Sequence, residues 1–353
     1  MRVAPTVPIE REKHKMKRIL RSLAAAMIGC AGMASMVMPL KAEPVEIRMA
    51  YGGIPGVISP LLFMKPDILK HYGKTYTVKS SFIRATSIAM QGMASGDFDV
   101  SYISFTALAN VIQNGGLDIK VISDITSWGS HGHQGPVGIV NADSGIKSAK
   151  DLKGKTLAVT AKGTGFHYAL LANLRKAGLK DGDYTLVELR RPAMVPALKE
   201  GRVDLVFIGP PTMYNIEQKV KSKRIFTAED GLGDVQSIVL VGRTAFLKEH
   251  ADAMKDFLED YIIGLRWFLD PKNRAEAIKI TAQLGKQPES FYEAFAFSKK
   301  DFYHNPTATP DITALQNNIN LMHELGVLKQ KVDVKPYIDL SYLDAAKKRL
   351  GLQ

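Results

Sequence analysis

From Val45 onward, short apolar runs of strand length alternate with longer segments whose apolar residues recur at helical spacing. "VEIRMAYGG" predicts a strand ending in a glycine turn. "SPLLFMKPDILKHYG" predicts a helix with Ser59 as N-cap and Pro60 at its first position, divided at Pro66. "TYTVKSSF" predicts the next strand, "TSIAMQGMASG" a helix capped by Thr86 or Ser87, and "FDVSYIS" a third strand. A helix from Thr106 to Asn114 and the strand "DIKVISDI" complete a first α/β unit.

The middle of the chain repeats that plan. "GPVGIVN" is followed by "SAKDLKGKTLAVTAKGTGFHYALLANLRKAGL", in which a capped turn, a strand, a glycine turn and a helix follow one another. "DYTLVEL", a short helix ending "LKEG", and the strand "VDLVFIG" come next, closed by Pro210-Pro211; "RIFT" and "SIVLVG" are further strands. The tail is almost wholly helical: "HADAMKDFLEDYIIGLRWFLD", "NRAEAIKITAQLG" and "DITALQNNINLMHELG" carry apolar residues at i, i+3, i+4 and i+7. Alternation of this kind predicts an α/β protein with mostly parallel sheet. An internal echo adds to it. "MASGDFDVSYIS" and "LKEGRVDLVFIG" both read as helix end, glycine, one residue, a hydrophobic or aromatic position beside an aspartate, then a strand, with Gly96 and Gly201 suited to a left-handed helix C-cap and Asp99 and Asp204 at equivalent places. Two similar lobes are expected.

Composition changes the picture mainly at the N-terminus. "KHKMKRILRSLAAAMIGCAGMASMVMPLKA" has a basic run, an apolar stretch and a small-residue close at Ala42, the plan of a secretory signal peptide cleaved there; Met16 is a candidate initiator, and a membrane anchor is the alternative. The single cysteine, Cys30, lies in this segment, where "MIGC" is a weak lipoprotein box, so cleavage after Ala42 leaves no thiol for disulfides, catalysis or metal. Residues 1–42 hold eight Lys or Arg and two Glu, so +6 of the formal net charge of +12 belongs to them. The remaining +6 is scattered without an aromatic-studded basic stripe, which argues against nucleic acid. The remaining length of about 310 residues calls for two lobes, each with a core.

Candidate chemistry centres on Gly163-Thr164-Gly165, between an apolar strand and a helix. Glycines there let backbone amides approach a ligand, and the helix N-terminus adds positive partial charge, which suits an anion. A dinucleotide turn would need a third glycine where Tyr168 stands, and Glu188 is poorly placed as its acidic partner; "GKT" at 154–156 lacks the spaced glycine of a P-loop.

The two glycine-aspartate strand starts, with "SGIKSAKDLKGKTLAV", its downstream GTG turn and "EGRVDLVFIGPP", resemble the periplasmic substrate-binding proteins of ABC importers, in particular the nitrate/taurine/alkanesulfonate group; the resemblance covers roughly Val45 to Asp270. It implies a bilobal, type II-like periplasmic-binding-protein fold: two α/β lobes joined by two crossing strands, with a helical C-terminal tail. Lobe 1 would take 45–129 plus 236–330 and lobe 2 136–230, with 331–353 packing on their surfaces and crossings near "SWGSHGHQG" and "GLGDVQS". It implies a receptor for a small solute, handed on to the transmembrane subunits of a permease in transient contact; a monomer with no cofactor is expected.

Ligands of open parallel sheets sit beyond the carboxyl ends of the strands. In lobe 1 this selects Tyr51, Gly52 and Gly53, then Arg84, Thr86 and Ser87, then Ser101, Tyr102 and Ser104. In lobe 2 it selects Lys162, Gly163, Thr164, Gly165 and His167, then Arg190 and Arg191, then Gly209, Pro210 and Pro211. Gly209 departs from the aromatic residue the family often has before that proline. Each has a structural alternative: the glycines as packing devices, Thr164 as a helix cap, the arginines as solvated charges. Within "WGSHGHQG", Trp128 and His131 are placed against ligand or in hinge backbone, and a zinc site at His131 and His133 lacks an acidic or cysteine partner. Tyr51, Tyr102 and Trp128 offer stacking faces for a planar solute or serve as core. The rival function is an enzyme of the same bilobal plan acting on a small aromatic or pyrimidine substrate; a sensor that feeds no importer is a third class.

Overall fold

The computed structural model describes residues 43–352, so the leader reading, with Met16, Cys30 and cleavage after Ala42, lies outside the described residues. In chain order the strands are β1 Val45–Tyr51, β2 Tyr76–Phe82, β3 Val100–Ser104, β4 Ile119–Trp128, β5 Val137–Asn141, β6 Thr156–Val159, β7 Thr185–Glu188, β8 Leu205–Ile208, β9 Ser222–Thr227 and β10 Val235–Arg243. They make two five-stranded sheets, ordered β2-β1-β3-β10-β4 and β7-β6-β8-β5-β9. The chain passes between the sheets twice, from β4 to β5 and from β9 to β10. In each sheet the strand that follows a crossing runs antiparallel between its neighbours: β5 between β8 and β9, β10 between β3 and β4. The cause is topological. A chain leaving one sheet at the carboxyl ends of its strands enters the other sheet from that same side, and so runs against the strands already there.

Side-chain alternation in β8 shows why the sheets are buried on both faces. Leu205 and Phe207 join Leu157 and Val159 on one side, whereas Val206 and Ile208 join Ala158, Met194, Leu198 and Met213 on the other. All four β8 residues are 0–1 % exposed, and burying each such side chain contributes about 1.5–3 kcal/mol.

The internal echo has a common structural job in both sheets. Asp99 accepts from the Arg48 amide (3.1 Å) at β1, and its own amide donates to the Arg48 carbonyl; Asp204 accepts from the Thr156 amide (2.8 Å) at β6, and its amide donates to the Thr156 carbonyl. Each aspartate therefore locks the start of one parallel strand pair. Gly96 and Gly201 both adopt the left-handed φ that turns the chain into that strand. Asp99 is in addition held by the guanidinium groups of Arg48 and Arg243, each at 2.6 Å, which together with the Arg48 amide bring its carboxyl below the usual range against the opposing effect of burial.

Helix starts differ from the sequence reading in two places. Ser59 is the first helical residue of Ser59–Leu62, not its cap; Ile58 holds that position, and the buried Ser59 hydroxyl finds no partner. The chain stops being helical well before Pro66, which opens a separate turn Pro66–Ile68, because proline keeps Lys65 out of the α region. Neither Thr86 nor Ser87 caps Thr86–Ser95; Ala85 stands at the N-cap and supplies no side-chain bond.

The carboxyl-terminal region forms the helices Ala251–Leu269, Arg274–Gly285, Ile312–Glu324 and Ser341–Arg349. Between the second and third of these, a stretch without long helices lies along β4 and the first crossing. Tyr303 and Ser127 exchange both backbone bonds (2.9 and 3.1 Å), the Asp124 amide donates to Ala308 (2.7 Å), and the Gln134 amide is shared by the carbonyls of Lys299 and Asp301. The Tyr214 hydroxyl, from the second sheet's side, donates to the Lys300 carbonyl (2.8 Å).

Candidate functional site

The carboxyl ends of β1, β2 and β3 face those of β6 and β8, and the contact between them is built from glycines and aromatic rings. A Cβ at Gly165 would stand 2.8 Å from Trp128 and 3.2 Å from Phe105; one at Gly209 would stand 2.8 Å from Phe302, and one at Gly56 3.2 Å from the same ring. Trp128 lies flat on Phe166, with centroids 5.3 Å apart and planes 11° apart, and edge-on to Phe105. Gly165 and Gly209 thus give the two lobes room to meet.

Around this junction the first sheet contributes polar groups and an apolar lip. Ser104 caps the helix Phe105–Asn114 by accepting from the Ala107 amide (3.2 Å), and its hydroxyl also meets Thr106 (2.9 Å) and Thr86 (3.4 Å), so Thr86 and Ser104 are brought together. Gly53, Arg84 and Ser87 are exposed at the same rim. Phe82 and Ile88, 59 % and 47 % exposed, flank Arg84, and Tyr51 packs edge-on to Phe82 at 5.8 Å. Two residues belong to the interior instead. Ser101 is the second residue of β3, fully buried, with its hydroxyl on the Tyr102 carbonyl; Tyr102, 5 % exposed, packs its ring against Gly52 and donates to the Ile83 carbonyl at 2.6 Å. Trp128 is also 5 % exposed, so of the three aromatic faces read from the sequence only that of Tyr51 is partly open.

On the opposite side, Gly163 takes a left-handed φ of 76° and Thr164 caps the helix Gly165–Lys176. The Thr164 hydroxyl donates to the Ala161 carbonyl (2.8 Å) and accepts from the His167 amide (3.4 Å), so its cap role occupies it. His167 accepts from the Gly163 amide at Nδ1 (3.1 Å), and Glu188 accepts from the Lys162 amide (2.8 Å). Burial, and then the charge of Lys162, lower the His167 pKa, which keeps its ring neutral and able to accept. The amides of Gly165 and Phe166 find no acceptor among the described residues. They belong to a helix start whose dipole favours an anion.

β7 ends beside β6, and there Arg190 holds the extended N-cap position of the helix Arg191–Lys199 while Arg191 begins it. Arg190 and Arg191 are both exposed to solvent. Among the described residues Arg191 makes no ion pair, and the same holds for Arg84, Arg190 and Lys162.

The crossing that carries "WGSHGHQG" is shaped by positive φ at Gly129, His131 and Gly132. His131 is exposed, with its ring 4.4 Å from Tyr303 and its carbonyl accepting from Lys299 (2.7 Å). The His133 ring is 5.3 Å from Tyr303, and its Nδ1 is buried without a partner. Both histidines therefore pack on the carboxyl-terminal region. Among the described residues no group of three or more His, Cys, Asp or Glu could hold a metal ion. Pro210 is buried behind Gly209. Phe166, Phe302 and Tyr303 were not read from the sequence; the bare Gly209 was the one signal that some other ring fills that space.

Two shallow depressions lie elsewhere, one lined by Asn141, Lys199 and Lys221 and the other by Ile312, Gln316 and Lys335. Neither opens at the carboxyl ends of the parallel strands, where ligands of open parallel sheets sit, so the candidate site is placed at those ends.

Two α/β lobes with mixed sheets, crossed twice by the chain and facing each other through their strand ends, define a bilobal periplasmic-binding-protein fold. Residues 84–274 match the model of the family described as "NMT1/THI5 like", and the chain belongs to that family. A protein of Bacillus subtilis (strain 168), assigned by name to aliphatic sulfonates binding, is 26% identical over 307 residues, 85% of this chain and 88% of the relative. The taurine-binding periplasmic protein of Escherichia coli (strain K12) is 27% identical over 147 residues, 38% of this chain and 45% of the relative, so that match spans under half of it. The crystal structure of the periplasmic aliphatic sulphonate binding protein SsuA from Escherichia coli superposes with a TM-score of 0.68 at 18% identity, over 85% of this chain and 99% of that one, a likeness of fold.

Proposed function

We propose that this chain is a periplasmic receptor that captures a small organic anion, a sulfonate or carboxylate, between its lobes and delivers it to the membrane subunits of an ABC importer. Lobe 1 comprises about 45–129 with 236–330, lobe 2 about 136–230, and residues 331–353 pack on their surfaces. One observation carries the reading: at the carboxyl end of β6 the amides of Gly165 and Phe166, which open the helix Gly165–Lys176, find no acceptor among the described residues. Free amides at a helix start become more favourably placed when an anion arrives. Phe82, Ile88 and Tyr51 supply an apolar lip for the organic part of the solute. The names of the sulfonate- and taurine-binding relatives support the same class of solute.

Closure is driven by ligand because only the closed form places Arg84 and the lobe 1 rim against the same solute as Arg191. The protein acts as a monomer that releases its solute unchanged, not as an enzyme. A thermal-shift screen of alkanesulfonates, taurine, aromatic carboxylates and nitrate tests this, followed by mass analysis of the bound compound. A concentration-dependent rise in Tm with intact recovery is the expected result. A chemically altered product points to the enzyme, and no shift with any anion removes the receptor reading.

A further inference from the structure

Glu229 belongs to the second crossing, in the short helix Ala228–Leu232 between β9 and β10, and its carboxyl lodges in the first. A Cβ at Gly129 or at Gly135, near the two ends of that first crossing, would overlap this carboxyl. Gly129 takes a left-handed φ of 65° and suits glycine for that reason alone, but Gly135 has no such φ, and what a side chain there would meet is the Glu229 carboxyl. The backbones of the crossings are tied as well, through the Ala228 amide on the Pro136 carbonyl at 2.8 Å. Inside this joint Glu229 Oε1 is buried without a hydrogen-bond partner, and it is the one carboxylate oxygen in that state among the described residues.

The charges around it do not compensate. Asp230 and Asp234, beside it in the chain, add negative charge. The cations of the surrounding elements are engaged elsewhere: Lys176 of the helix Gly165–Lys176 on the Asp230 carbonyl (2.9 Å), Lys299 of the carboxyl-terminal region on the His131 carbonyl (2.7 Å), and Arg224 of β9 on Glu217 (2.6 Å). His131 and His133, in the first crossing, turn their rings to Tyr303. An ionised carboxylate buried in this way is costly, whereas the protonated acid fills the same space at far lower cost. Burial accordingly raises the Glu229 pKa above its ordinary 4.5, against smaller opposing effects of its own amide and Thr227.

We propose that Glu229 is a pH-sensitive latch on the two crossings: protonated, it stays lodged between Gly129 and Gly135 and holds the lobes in the arrangement observed; ionised, it leaves for solvent and frees them to move. The lodged state is fully favoured below about pH 4.5 and loses ground as pH rises through the raised value. Under the receptor reading the latch makes lobe movement respond to the acidity of the medium, but the latch itself needs no solute.

The test is the pH dependence of Trp128 emission in the full chain without ligand, with Trp267→Phe leaving Trp128 as the sole tryptophan. Trp128 closes β4 beside Gly129 and lies flat on Phe166 of lobe 2, so loosening the crossings wets its ring. Between about pH 4 and about pH 8 the emission maximum is expected to move to the red, with a midpoint above 4.5. Glu229→Gln keeps the shape and does not ionise, so it holds the acid position throughout. Gly135→Ala expels the carboxyl and holds the red position throughout; Glu229→Ala, with the same expectation, serves if that chain does not fold. A red shift of the same size and midpoint in every variant assigns the transition to Asp301 or the histidines and overturns the proposal. An unchanged maximum in the chain that keeps Glu229 and Gly135 overturns it too, as do glutamine and alanine variants fixed at one common position. A failed latch leaves the receptor reading standing, and failure of every anion to bind removes that reading without touching this result.

Discussion

Replacing Arg191 by glutamine removes the charge while keeping most of the side-chain volume. Because no carboxylate neutralises this guanidinium among the described residues, an incoming anion has no protein partner to displace, and the contact contributes its full value. Hydrogen bonds to a charged group contribute about 1.5–3 kcal/mol, so the dissociation constant of whichever anion gives the largest Tm shift should rise roughly 10- to 150-fold. The empty protein should respond little. Arg191 is exposed and makes no ion pair among the described residues, so without the charge the ligand-free chain melts at about the same temperature. Titration calorimetry gives the first quantity and a melt without ligand the second. Arg202→Gln is the control: its ion pair with Glu200 has side chains 55 % and 58 % exposed, and such pairs contribute about 0–1 kcal/mol. Affinity in Arg191→Gln within twofold of the unaltered chain would refute the reasoning, as would a melt depressed well below that of Arg202→Gln, because each result makes Arg191 a structural residue and not a ligand group.

A methyl at Gly165 meets Trp128 at 2.8 Å, and relieving the overlap by lobe separation removes about 1–3 kcal/mol from the closed form; Gly165→Ala should therefore bind roughly 5- to 150-fold more weakly and stay larger by small-angle scattering with saturating ligand. Equal affinity and equal radius would place the methyl's effect elsewhere. Burial raises the Asp301 carboxyl from its ordinary 3.8 to about 7, so folding favours the protonated form: the penalty is absent below about pH 4, grows as pH rises from 4 to 7 and is constant above. Asp301→Asn removes that penalty, and its stability relative to the unaltered chain should improve between pH 5 and pH 8 by up to about 3 kcal/mol in denaturant melts; a difference independent of pH counts against the raised carboxyl.

Local pattern carried the strands and the echo between the sheets because both depend on residues close in sequence. The glycine and aspartate at 96 and 99 and at 201 and 204 need only a left-handed turn and one strand neighbour, and both pairs stand where the spacing put them. Caps were harder to read. Ser59, Thr86 and Ser87 are all sound N-cap residues, but the helices begin at Ser59 and Thr86 themselves, since chain entry from β1 and β2 sets the first turn. The choice between Arg190 and Arg191 shows the same limit. The two are equal in composition and both exposed, and only the position at which the helix starts makes Arg190 the extended N-cap residue and Arg191 the first helical one. Phe302 was out of reach for a different reason: its partners Gly56, Trp128 and Gly209 are far away in sequence, and nothing local in "KDFYHNP" marks the phenylalanine as more than core.

The same geometry limits what closure can do. Where the lobes touch, aromatic rings rest on backbone that has no Cβ, at Gly165 and Gly209, so the separation of the lobes there is fixed by ring thickness and cannot shrink around a smaller solute. Selectivity must then come from the parts of the rim that lie farther out. Those parts hold Arg84 and Lys162 without ion-pair partners among the described residues, while the carboxylate of Glu188 is engaged by the Lys162 amide. A solute carrying only negative charge gains from every free group in the cleft. One that also carries an ammonium must compete with a backbone donor for its acceptor, at a loss of about 1–3 kcal/mol for the donor left unpaired. The arrangement therefore discriminates by charge, and it does so at the rim, where the free groups are, and not at the aromatic contact that holds the lobes apart.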